Sequence, residues 1–429
     1  MSPVIPFDIF ALIIDIIAEN RDTDLLKGLA LVNHSFLQIC SKHLFATVEL
    51  HEPDSTRRKY ATSINGFVKL LKSKPDVVMH IRKLTYRIGL GAIECKRYPL
   101  YSDEYDLLLP IPNLLRTIPQ LNCLTIAPEH SHEKDWNTLD YSMTSALLHL
   151  MHLPTINHIE ISFIRNFPLS NLTSSDNLHR LNISHLFDVE GEDGSLENVQ
   201  SEKMLRDFRA LHSSPVTTKL LHAKLQDGRP AFNFMDLRLL SMTFIEPEDE
   251  QNIRYILQNA ELPEKLHLSV DYHCSIVGLL SPTAHILKVL GLTVRYRSSV
   301  CSGVCEELEA MAGHNMLEVL SFEVKVSGFE SEDFIGSVFQ KVEEILVKPG
   351  WSALRQVYFK VSCSYGIIKS QYEALKSLPD KYLSHLPKLE SVAFDYSAEG
   401  VVSPKCKVRS CFLIGNSLGH SFYNVIDYN

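Results

Sequence analysis

Apolar residues recur along this chain with two different periods. Over the first 45 residues the period is helical. Phe10, Ile13, Ile14 and Ile17 fall on one stripe, while Asp8, Asp15 and Glu19 carry the charge. Pro6 suits the first turn of that helix, where its missing N–H has no partner in any case. Asn20-Arg21-Asp22-Thr23 breaks the pattern, and Asp22, Thr23 or Asp24 is the expected cap of a second helix. Leu25, Leu26, Leu29, Val32 and Phe36 form its stripe, and Ile39, Cys40, Leu44 and Phe45 form a third. Three short helices bury little surface by themselves, so part of their apolar surface needs a partner. After a polar connector containing Pro53, Tyr60, Ile64, Phe67, Val68 and Leu71 resume helical spacing, and Lys72-Ser73-Lys74-Pro75 ends that helix.

Beyond residue 77 the spacing changes to apolar-x-x-apolar-x-apolar. Ile81/Leu84/Tyr86, Leu121/Leu124/Ile126, Ile156/Ile159/Ile161 and Leu178/Leu181/Ile183 come first. Leu237/Leu240/Met242, Leu287/Leu290/Leu292, Leu317/Leu320/Phe322, Leu354/Val357/Phe359 and Leu389/Val392/Phe394 follow, with Leu262/Leu266/Leu268 as a variant one residue longer. The longest interval, between Leu181 and Leu240, has room for a degenerate unit around Leu220 to Leu225. Successive residues of a strand face opposite sides, so the last two apolar positions of each unit point inward together. One unit cannot bury its own face, but stacked units form a continuous core. Segments 140–151, 251–260, 305–312, 333–346 and 372–386 read as helices between the strands, which predicts a mostly parallel sheet. The lead-ins Leu153-Pro154, Leu386-Pro387 and Ile118-Pro119 repeat the same punctuation. The pattern resembles the leucine-rich repeat, in a long and irregular form that mostly lacks the Asn ladder position.

The opening segment carries a second resemblance. Ile5-Pro6-Phe7-Asp8-Ile9 comes first, then Leu25-Leu26 with Leu31-Val32, then Phe36, and then Leu44-Phe45-Ala46-Thr47-Val48-Glu49-Leu50. This order resembles the F-box, a short helical module that docks onto the Skp-type adaptor of cullin–RING ubiquitin ligases. Asn33 stands where the family has Cys, and Phe36 where it has Trp. The resemblance implies an α/β chain with an N-terminal three-helix F-box-like module over 1–50. A helical linker at 51–76 and an irregular leucine-rich-repeat solenoid, a horseshoe, over 77–429 would follow. It implies a non-enzymatic substrate receptor, similar to fungal F-box proteins with degenerate repeats. A Skp-type adaptor and, through it, a cullin would be partners, together with a protein target. The implied adaptor-binding residues are Ile5, Pro6, Asp8, Ile9, Leu31, Val32 and Phe36. The competing expectation is a repeat scaffold whose first helices merely cap the open end of the solenoid.

Composition narrows the field further. The 429 residues carry 42 Lys and Arg against 51 Asp and Glu, a net charge of −9. That gives no global electrostatic case for a nucleic-acid or membrane partner. Arg57-Arg58-Lys59 reads as a solvated loop and Val189 to Gln200 as an acidic exposed one. Nine scattered cysteines and no export signal predict reduced thiols in the cytoplasm or nucleus, with the sequons at Asn171 and Asn182 unused. No cofactor or metal is implied. Cys301 and Cys305 lack a second pair, and His149 with His152 and His130 with His132 lack acids at a recognised spacing. Gly419-His420-Ser421 lacks the second Gly of a nucleophile elbow. Glu306-Glu307 and Glu343-Glu344 read as charged helix faces. Phe412-Leu413-Ile414 is expected as a last edge strand.

Overall fold

The computed structural model describes residues 7–20, 22–52, 61–89, 109–129, 132–187, 201–270, 276–295, 298–326, 332–363, 369–388 and 391–400. Its backbone is a mixed α/β arrangement around one 12-stranded sheet. The strands are β1 Thr47–His51, β2 Lys83–Ile88, β3 Cys123–Pro128, β4 His158–Ser162, β5 Arg180–Ser184 and β6 Asp207–Leu211. They continue as β7 Leu239–Phe244, β8 Lys265–Val270, β9 Val289–Arg295, β10 Val319–Val326, β11 Gln356–Cys363 and β12 Ala393–Glu399. Each strand pairs only with its neighbours in chain order, and every pair is parallel. Among the described residues the sheet is therefore open, with β1 and β12 at its edges, a solenoid-like arrangement. Parallel neighbours require crossovers, and the intervening segments supply them, mostly as helices over one face.

The register explains why the apolar triplets recur. Leu84, Leu124, Ile159, Leu181, Phe208 and Leu240 occupy one inward row, continued by Leu266, Leu290, Leu320 and Val357. Tyr86, Ile126, Ile161 and Ile183 begin the second row, two residues on. In eight of the triplets all three positions are buried. Each such side chain is worth roughly 1.5–3 kcal/mol when withdrawn from water. The outward positions between them are largely polar, as in Glu160, Asn182, Arg209 and Ser241.

Four expectations need correction. The unit in the long interval is not at Leu220 to Leu225, which belong to helix Ser214–His222 and the residues after it. It is Leu205/Phe208/Ala210, whose last position is too small to signal. Leu262 is exposed, so the long variant contributes only Leu266 and Leu268 to the core. Phe394 rather than Val392 pairs with Val357, which moves the last unit by two residues. The segment 372–386 is not one helix but Lys369–Lys376, Leu378–Tyr382 and a 3-10 turn at Leu386–Lys388; the first break is at Ser377, ahead of Pro379, whose missing N–H cannot continue the first helix.

The sheet also begins earlier than residue 77. Thr47–His51 is its first strand, paired with β2, and Leu50 belongs to the sheet's core. Helix Ala61–Ser73, expected as a linker, packs Ile64, Phe67, Val68 and Leu71 into the same core. The readings placed on Arg57 to Lys59, on 189–200 and on Phe412 to Ile414 lie outside the described residues.

Candidate docking surface

Ahead of β1 lie three helices, α1 Phe7–Glu19, α2 Thr23–Ala30 and α3 His34–Leu44. Their starts follow from local chemistry. The Asp22 carboxylate accepts the Leu25 N–H at 3.0 Å and caps α2. The Asn33 side-chain Oδ1 accepts the Phe36 N–H at 2.9 Å and caps α3. Asn33 thus closes a helix terminus. The three helices share a small core of their own, Ile14, Leu26, Ala30, Ile39 and Cys40, separate from that of the sheet. Phe10 meets Phe36 edge-on at 5.2 Å between ring centroids. Asp15 ties α1 to α3 through Lys42 at 2.8 Å and His43 at 2.7 Å. The Lys42 bond is the main reason its carboxyl sits below the usual range.

Helix α1 is apolar on more than its inner face. Phe10, Ile14, Ile17 and Ala18 turn toward the small core. Ile9, Leu12, Ile13 and Ile16 stand at helical spacing on the opposite side, exposed. Ile13, expected on the inner stripe, belongs to this outer one. Phe7 and Leu25 are exposed as well, and Leu31 and Val32, in the turn between α2 and α3, are 87% and 62% exposed. Among the described residues 19 large apolar side chains are exposed, and eight of them lie within residues 7–32. These eight are clustered in one segment and are not scattered singly over the surface.

The implied docking residues are placed unevenly. Ile5 and Pro6 lie outside the described residues. Asp8 is exposed in the first turn of α1, where a negative charge suits the helix dipole. Ile9, Leu31 and Val32 are on the apolar surface. Phe36 is half-buried against Phe10 and supports the small core from within.

A second candidate lies on the solvent-facing side of the sheet, a cavity of about 540 Å³. It spans β5 to β11 and is lined by hydroxyls, by His185, His212 and His267, and by Glu323, Lys325 and Lys360. The His212 imidazole is pushed down to about 4, chiefly because burial disfavours its charged form, with His185, Arg295 and Lys325 adding repulsion. Burial lowers His185 in the same way, against an opposing pull from Glu133. Both rings are neutral near pH 7. The thiols of Cys40, Cys123 and Cys305 are pushed up by burial, the opposite of what a nucleophile or metal ligand needs. Among the described residues no group of three or more His, Cys, Asp or Glu is placed to hold a metal ion, and no helix is long and apolar enough to cross a membrane.

No protein-family model matches the chain, and no curated protein matches it. Among solved structures, the chain is similar to a crystal structure of a protein from Bacteroides fragilis determined as a structural-genomics target. That alignment has 12% identity and a TM-score of 0.29, and it covers 80% of this chain and 74% of the other.

Sequence reasoning missed the outer stripe of α1. The signal was present: Phe7, Ile9, Leu12, Ile13 and Ile16 are more apolar positions than one core-facing stripe requires. It also misread two carboxylates. Glu307 is buried and accepts the N–H groups of Gly278, Leu280 and Ser281, the last at 2.8 Å. Glu343 is buried and accepts those of Ser384, His385 and Leu386 at 3.2, 2.8 and 2.8 Å. These carboxylates staple crossovers together.

Proposed function

We propose that the chain is the substrate-recognition subunit of a Skp–cullin–F-box ubiquitin ligase. In this reading residues 7–32 dock an apolar face onto the Skp-type adaptor, a helix-in-groove mode of binding. The leucine-rich-repeat horseshoe would then present a target to the ligase. The observation that carries the reading is the exposed face formed by Ile9, Leu12, Ile13, Ile16, Leu31 and Val32. It occupies the segment whose order of motifs resembles an F-box. Ile9, Leu31 and Val32, which that resemblance nominates, are all on it. The protein would work without a catalytic residue or cofactor of its own, in the cytoplasm or nucleus.

A cap-only role has one observation in its favour. Helix α3 runs into β1, and Phe45 packs against the core of the sheet, so the module does cover that end. A terminal cap, however, needs a polar outer face to remain soluble. The face of α1 turned away from its own core is apolar. The test is co-precipitation of the full chain with purified Skp-type adaptor and cullin, with and without replacement of Pro6 and Ile9 by Asp. Capture that is lost in the variants supports the receptor. Capture absent from the native chain, or indifferent to the replacements, leaves the capped scaffold.

A further inference from the structure

The cavity on the sheet lies at a step in the fold. Strands β4, β5 and β6 stop at Ser162, Ser184 and Leu211. The next residue of each, Phe163, His185 and His212, has a positive φ of 56°, 49° and 50°. Continued alternation would point these three side chains inward, after Ile161, Ile183 and Ala210. The left-handed residue ends the strand instead. Bulky L-residues rarely adopt this conformation, and it persists only where surrounding structure enforces it. Here it recurs three times at one register position. The Phe163 N–H donates to the Ser184 carbonyl at 2.8 Å and the His185 N–H to that of Leu211 at 2.7 Å. The rings stack into a ladder, Phe163 on His185 at 4.2 Å and His185 on His212 at 4.4 Å, each within 16° of parallel.

The following strands do the reverse. In β7 the position equivalent to His212 is Phe244, which continues the strand and is buried. Strands β9 to β11 run on to Arg295, Val326 and Cys363. The cavity is therefore walled by the aromatic ladder on one side and by the extended strands on the other. Its floor is shaped by His267, whose Nδ1 occupies the space a Cβ on Gly291 would need. No side chain larger than hydrogen fits there without moving that ring. Across the floor, Glu323 is occupied by the hydroxyls of Thr293 and Ser362 at 3.0 and 2.7 Å, and Lys360 is paired with Glu399 at 2.7 Å. Lys325 makes no ion pair among the described residues, and it lies near enough to press on the charge of His212.

The cavity thus offers flat, uncharged rings and, in Lys325, a cation that forms no ion pair among the described residues. We propose that the cavity binds a short peptide segment bearing an aromatic side chain beside an acidic residue. The ring packs against His185 and His212, and the carboxylate meets Lys325. The volume lies within the usual range of ligand-binding clefts. Calling that peptide part of a ubiquitylation target rests on the receptor reading above, but the binding site itself does not.

The test is selection of a displayed random heptapeptide library on the full-length chain, followed by calorimetry of the enriched peptides. The comparison variants are His212→Gly, which removes the ring where glycine adopts the backbone conformation freely, and Lys325→Glu on the outward side of β10. Expected is enrichment of Phe, Tyr or Trp next to Asp or Glu. Binding to His212→Gly should be roughly tenfold weaker, and Lys325→Glu should select Lys or Arg beside the ring. The proposal is overturned if nothing is enriched, if the enriched peptides lack the aromatic–acidic pair, or if both variants bind them within about twofold of the native chain. Neither variant touches residues 7–32, so adaptor binding should be unchanged in both. Failure of this site and failure of the docking face are therefore separately visible.

Discussion

Helix α1 and the sheet obey the same packing rules and end in opposite states. Along each strand, inward positions are apolar and buried, and the outward positions between them are largely polar, as Leu181/Asn182/Ile183 and Leu240/Ser241/Met242 show. Along α1, the inner face of Ile14 and Ile17 and the outer face of Ile9, Leu12, Ile13 and Ile16 are both apolar. The sheet satisfies its apolar surface by stacking unit on unit. The helical module has only five buried residues at its centre and leaves a second apolar face in water. Internal stability accounts for the first pattern completely. It does not account for the second, which is why the second is read as a surface built for another protein.

That contrast can be broken at several points. The largest effect should come from the sheet. Phe359 is buried among Phe322, Phe339 and Phe394, and Phe359→Ala should cost about 3–5 kcal/mol by urea unfolding. It should leave adaptor binding intact in the surviving folded fraction. Next is Glu343→Ala, which leaves three N–H groups without their acceptor, that of Leu386 buried, and should cost about 2 kcal/mol. A cost near zero would mean that the crossover stands without its staple.

A smaller effect concerns pH. The native His212 ring resists protonation and the unfolded one does not, so the unfolded state binds more protons as pH falls below the ordinary imidazole value of 6.5. Stability should therefore decline from about pH 6.5 toward pH 4 and be unaffected by His212 above pH 7. The loss should be about 1 kcal/mol once solvent screening of a partly exposed ring is allowed for. Subtracting the pH profile of His212→Gly isolates this contribution. A difference that grows above pH 7 would contradict the neutral assignment. The smallest stability effect belongs to Leu31→Asp with Val32→Asp, within about 0.5 kcal/mol of the native chain, because both side chains already face water.

Much of the sheet was legible because a strand needs large apolar residues at fixed spacing, and Leu, Ile and Val supply them. The pattern failed where a small residue did the packing, as Ala210 does in the unit at Leu205/Phe208. It also failed at the last unit, where Val392 imitates the inward position that Phe394 holds. The helices 141–151 and 332–346 were visible from periodicity, and their partner choices were not. Nothing local distinguishes the buried Glu343 from its exposed neighbour Glu344, because its partners lie some 40 residues away. The αL aromatics of the ladder were invisible for a related reason. A positive φ at Phe163 or His185 is imposed by neighbouring strands and not by the residue's own preference.

We propose that an adaptor completes the surface of residues 7–32. Titration calorimetry of the full-length chain with purified Skp-type adaptor, at two temperatures, tests it most directly. One-to-one binding with a negative heat-capacity change, the mark of apolar burial, is expected, and its loss in the Leu31→Asp, Val32→Asp double variant. Heat-capacity-neutral binding, binding that survives the double variant, or no binding by the native chain would contradict it.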